Sequence, residues 1–134
     1  MAEYTIANLK SDVEDQAPRF GLSPDLEGRF ARQSLGLEQS GVSYQRLAPG
    51  FRVPFGHTHA RQEEVYVIIA GSGRVKLGDE IVELKAFDAL RVAPGVWRGV
   101  EAGPEGLELV AFGARCGMAP DDSDADMEQG WWSD

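Results

Sequence analysis

The chain has 134 residues and carries 22 acidic against 13 basic side chains, for a formal net charge of −9. That balance excludes nucleic acid and anionic membrane surfaces as partners, since both need a clustered basic face, and no apolar stretch is long enough for a membrane helix. One core is expected at this length. The lone cysteine, Cys116, excludes an internal disulfide and reads as a small packed residue rather than a nucleophile. With a start, Met1-Ala2-Glu3-Tyr4, that lacks a basic leader, it points to the cytoplasm.

Residues 1–27 lack periodicity and hold Pro18, Gly21 and Pro24, which predicts an irregular arm with one helical turn near 12–16. Strands are expected at 28–35, 40–48, 52–55, 63–70, 73–77, 80–84, 89–92, 97–100 and 107–112. Between them, Gly71-Ser72-Gly73 reads as a tight connection and Gly78-Asp79 as a two-residue hairpin turn. Pro94-Gly95 marks a third turn and 102–106 a looser one. Many short strands separated by turns in one domain spell an all-β sandwich or barrel, assigned here to 28–118. Residues 119–134 form an acidic tail with Asp121, Asp122, Asp124, Asp126, Glu128 and Asp134. Its Trp131-Trp132 pair predicts that the tail folds back, with one indole docked and the other flatter on the surface. Such a tail can cap an apolar stripe on its own barrel or on a partner.

Only two histidines occur, and they stand two apart in His57-Thr58-His59. In an extended strand alternate side chains share a face, so both imidazoles point one way. A carboxylate from the next strand, with Glu63 and Glu64 both within reach, completes a facial set for Fe(II) and, less selectively, Zn, Mn, Ni or Co.

The stretch from Gly50 through His57, His59, Glu63 and Glu64 to Gly71 resembles the first motif of the cupins, G-x5-H-x-H-x3,4-E-x6-G. The match holds from His57 onward, while six residues rather than five separate Gly50 from His57. The resemblance implies His57, His59 and Glu64 as metal ligands, with Glu63 on the other face of the strand. It also implies a jelly-roll (double-stranded β-helix) barrel over roughly 40–113. The second motif, G-x5-P-x-G-x2-H-x3-N, is degenerate. Gly95 fits, but Phe87, Ala93 and Ala102 replace its glycine, proline and asparagine, and Arg98 stands where a fourth ligand, histidine, is expected.

If Glu64 points inward, so do Tyr66 and Ile68, leaving Val65, Val67 and Ile69 as an outward apolar row. Such a row needs cover, and the resemblance implies a homodimer. Tyr66 and Arg98 are candidate ligand-binding residues, whereas Tyr44 and Trp97 read as packing. A guanidinium about 5 Å from a divalent ion whose charge Glu64 has half cancelled would repel it by about 3 kcal/mol at an effective dielectric near 20. That is about two decades of metal affinity. Alternatively Arg98 pairs with Glu64, or an anionic ligand bridges Arg98 and the metal. Two classes of function follow. One is a metal-dependent oxygenase or isomerase acting on a small organic acid, using Fe, Mn, Ni or Zn. The other is a non-catalytic small-molecule binding or sensing barrel that has lost the full metal site.

Overall fold

The protein is described here by a computed structural model over residues 1–115, 118–119 and 122–134. Cys116 and Asp121 lie outside the described residues. After an extended arm and a 3-10 turn, Ala17–Phe20, the strands are β1 Leu26–Phe30, β2 Ser40–Leu47, β3 Phe55–His59, β4 Glu64–Leu77, β5 Glu80–Lys85, β6 Ala89–Val92, β7 Arg98–Ala114 and β8 Ala125–Gln129. One helical turn, α1, spans Arg32–Leu35. No helix among the described residues is long and apolar enough to cross a membrane.

Two long antiparallel strands, β4 and β7, organise the barrel. Their first-to-last pairing, Glu64 with Gly113 through Leu77 with Arg98, lets each strand serve both halves. One half orders as β1–β2–β7–β4–β6 and the other as β8–β3–β7–β4–β5. This is the jelly-roll, all-β architecture expected from the strand pattern and the first motif.

Several local expectations need correction. The Gly71–Gly73 and 102–106 segments are not turns, because β4 and β7 run straight through them. The register instead shifts between Ile68 and Ala70 and between Gly71 and Gly73, so β4 bends by bulging. Gly71 (φ 75°) and Gly106 (φ 83°) meet at that bend, and a Cβ on Gly71 would stand 2.1 Å from the Gly106 carbonyl oxygen. Glycine composition therefore marks a close crossing of strands rather than a chain reversal. The strand expected over 28–35 stops at Phe30, since Gly36 closes α1 by donating its N–H to the Arg32 and Gln33 carbonyls. The strand expected over 52–55 starts only at Phe55, with Arg52 making an isolated bridge to Glu101. The helical turn expected near 12–16 lies at Ala17–Phe20, where Pro18 starts it, while Asp15 bridges to Arg29.

Bulk is distributed unevenly inside. Register places Leu47 opposite Leu107 and Gln45 opposite Leu109 at one end, with Ile68 beside them, and these leucines and Ile68 are fully buried. Further along the same inward face, Ser43 pairs with Ala111 and Gly41 with Gly113. One end of the barrel is therefore packed solid and the other is left open.

The acidic tail is structured. Strand β8 pairs with β3, matching Phe55 to Gln129, His57 to Met127 and His59 to Ala125. Trp132 is buried beneath the Arg52 and Arg74 guanidiniums, 4.2 and 5.4 Å from its ring. Trp131 is half-buried and stacks on Trp97 at 6.1 Å over the bare backbone of Gly56. One indole is docked and its neighbour lies flatter, as expected, but the docking face is that of β3 and β7. Among the described residues the tail does not cap the Val65/Val67/Ile69 row, and Ile69 and Phe112, the β7 partner of Val65, stay 41 % and 47 % exposed. Trp132→Ala should lower stability by about 3 kcal/mol, read from urea unfolding, because a buried indole is lost from a site too rigid to collapse.

Candidate metal centre

Strand β3 turns Phe55, His57 and His59 to one face, and its two hydrogen-bonded neighbours bring Arg98 of β7 and Met127 of β8 level with His57. Glu64, the first residue of β4, enters from across the barrel. His57, His59 and Glu64 offer ligand atoms that all lie within 4.8 Å of one another. The imidazole Nε2 atoms stand 3.6 Å (His57) and 3.5 Å (His59) from Glu64 Oε1, and the rings meet edge to face. Glu63 faces the other way and pairs with Arg91 at 3.1 Å.

His59 is held from behind by a residue that the sequence did not single out. Asp124, just ahead of β8, sits 2.8 Å from His59 Nδ1. It also accepts from the Arg61 and Gln62 backbone N–H groups and from Gln62 Nε2, each at 2.8 Å. Burial alone would raise the Asp124 pKa, but the hydrogen bonds from His59, Arg61 and Gln62 together pull it well below the usual carboxylate range. An ionised Asp124 can only accept, so His59 donates to it from Nδ1, and the ring is held with Nε2 facing Glu64. A carboxylate behind a histidine is the arrangement that orients metal-ligating imidazoles. No spacing signal marked Asp124 within its acidic run; only the β3–β8 register brings it here.

Arg98 is fully buried, and each of its three guanidinium nitrogens has a partner. Its Nη2 donates to Glu64 Oε1 at 2.7 Å, its Nη1 to the Val96 carbonyl at 2.7 Å and its Nε to the Tyr66 hydroxyl at 3.4 Å. Of the arrangements open from sequence, Arg98 adopts the pairing with Glu64. Tyr66 in turn donates to Glu64 Oε1 at 3.3 Å. Burial and the Glu64 charge push the Tyr66 hydroxyl above its ordinary range, so it stays protonated at neutral pH. Burial raises Glu64 too, yet the neighbouring His57, His59 and Arg98 lower it on balance, leaving an ionised carboxylate. Tyr44 is buried beneath Lys10 of the arm, whose ammonium lies 5.1 Å from its ring, and donates to Glu108.

Two imidazoles whose Nε2 atoms face one ionised carboxylate, with the three ligand atoms within 4.8 Å of one another, fit a divalent transition metal in donor type and spacing. Above them opens a cavity of about 710 Å³ that His57, His59, Glu64 and Tyr66 help to line.

Comparison with known proteins agrees with this architecture. No curated protein matches the chain. Among solved structures, a cupin protein from Bacteroides fragilis is similar at 27 % identity and a TM-score of 0.70, covering 92 % of this chain and 93 % of that one. An uncharacterised conserved protein with a double-stranded β-helix domain from Klebsiella pneumoniae shares 20 % identity at a TM-score of 0.69, over 95 % and 99 % of the two chains. Oxalate decarboxylase from Bacillus subtilis shares 22 % identity at a TM-score of 0.69, and there 95 % of this chain corresponds to 33 % of a longer protein. The cupin domain model matches residues 43–112, from β2 through the strands that carry the histidines, Glu64 and Arg98 and on into β7. On that match and this topology, the chain belongs to the cupin family.

Proposed function

We propose that this protein is a small metal-binding cupin that takes up a small anionic metabolite, with Fe, Mn, Ni or Zn held by His57, His59 and Glu64. The observation that supports this reading is the Asp124–His59 contact of 2.8 Å, which holds the ring with Nε2 facing the point where Glu64 and His57 converge. Holding a histidine ring in one orientation beside a second imidazole and a carboxylate has little use in packing alone. When bound, the ion supplies Lewis acidity towards an oxygen of the ligand. The protein decides which ligand. Arg98 cancels the charge of Glu64, so the donor set as a whole is close to neutral and a divalent ion keeps its positive field. An anion is therefore favoured, bound within reach of Arg98 and Tyr66. Among the described residues no further histidine exists to move protons.

The Arg98–Glu64 ion pair also supports a second reading, a non-catalytic barrel closed without metal, because Glu64 is already satisfied. Metal content separates the two. Protein incubated with Zn, Mn, Ni or Fe(II) and desalted should retain a sub-stoichiometric ion by mass spectrometry, and His57→Ala should retain none. An empty site after all four incubations would leave the non-catalytic barrel standing. The exposed Ile69 and Phe112 beside Val65 and Val67 support a homodimer, to be checked by analytical ultracentrifugation, and the lone cysteine suits a reducing, cytoplasmic setting.

A further inference from the structure

The cavity above the donors is far larger than a two- or three-carbon acid. Its volume of about 710 Å³ falls among sites that enclose drug-sized ligands, about 300–1,000 Å³. The sequence makes this room deliberately small-sided. On the inward face, Gly41 and Ser43 of β2 oppose Gly113 and Ala111 of β7, and a Cβ built on Gly41 meets nothing within 4 Å. Beside them on β1, level with Ser43, the Phe30 ring lies over Gly28, whose added Cβ would stand 3.3 Å from it.

Three large apolar side chains ring the opening. Phe20 follows from the 3-10 turn, Phe30 from β1 and Met127 from β8, and they are 72 %, 57 % and 59 % exposed. They come from separate parts of the chain yet converge on one concave site. Met127 stands level with His57 on the adjacent strand, so apolar wall and donor set are contiguous. Single exposed apolar residues need no explanation, but three around one mouth mark a surface built to be covered.

We propose that the ligand is an amphiphile, with a carboxylate or enolate head at the His57/His59/Glu64 end and a hydrocarbon chain or ring against Phe20, Phe30 and Met127. The placement of the head rests on the metal-binding reading above; the apolar body is argued from the cavity alone. The test is calorimetric titration of acetate, butyrate, hexanoate, octanoate and oxalate into Zn-incubated and metal-free protein. Affinity should rise about tenfold for each two carbons added, the effect of burying two methylenes. Phe30→Ser and the cavity-filling Gly41→Leu should each flatten that dependence, and Gly41→Leu should leave Zn uptake unchanged. A chain-length slope without Zn uptake would retain the apolar body and discard the metal. Zn uptake with no slope, or oxalate binding tighter than octanoate, would overturn the amphiphile.

Discussion

Arg98→His should raise affinity for divalent first-row metals by at least ~tenfold. Register sets Arg98 level with His57 on the neighbouring antiparallel strand, so a histidine there would present a third imidazole, and a fourth ligand, to the same space. The change also removes a buried positive charge 2.7 Å from Glu64, whose repulsion of a bound ion is worth about 3 kcal/mol at roughly 5 Å. The metal-free variant should be less stable, by about 3 kcal/mol, because Glu64 keeps its burial and loses its strongest donor. Added Zn should restore that loss by mass action, with a larger rise in Tm than in the parent protein. Competition against a chromophoric chelator, together with thermal unfolding with and without Zn, gives both quantities. Unchanged affinity would mean that the guanidinium does not act on the donor set.

Asp124→Ala should be nearly as damaging, and for a different reason. It leaves the Arg61 and Gln62 amides without their acceptor and frees the His59 ring to rotate or change tautomer. A stability loss of about 3 kcal/mol is expected, with metal affinity reduced about 10- to 100-fold. Asp124→Asn should fall between, since it keeps an acceptor for the amides and loses the charge. The pH dependence has a definite sign. The folded Asp124 pKa lies below its ordinary 3.8, so its contribution is complete above about pH 4 and fades as acid protonates the folded state. Urea unfolding from pH 7 to pH 3 should therefore show the gap between parent and Asp124→Asn closing in acid. A constant gap would assign the loss to packing.

The histidine pair was legible because period-two alternation converts His57-Thr58-His59 directly into a shared face, and β3 has that alternation. The distance from Glu64 to Gly71 separated Glu64 from Glu63 for a physical reason: Gly71 stands at the bulge where β4 crosses β7, which fixes the strand's phase. What composition hid were the places where one strand serves two halves. Gly71, Gly73, Gly103 and Gly106 look like turn residues, and only contact with the opposing backbone distinguishes a bend from a reversal. Strand β8 was hidden by its charge, because Asp126 and Glu128 fill the outward positions and leave only Ala125, Met127 and Gln129 to face the cavity. Asp124 was hidden with it, as one carboxylate among many until register selects it.

The pairing of β3 with β8 also sets an order of events. His59 and Asp124 lie 65 positions apart, so the contact that fixes the imidazole exists only once a long loop has closed. Non-local closures of this kind place β-barrels among the slower folders, on the scale of milliseconds to seconds. A chain whose other strands have paired would still hold a freely rotating His59. Competence to hold an ion with full affinity thus waits on the pairing of β3 with β8, and chains in which that pair has not formed would hold metal less tightly even where metal is abundant.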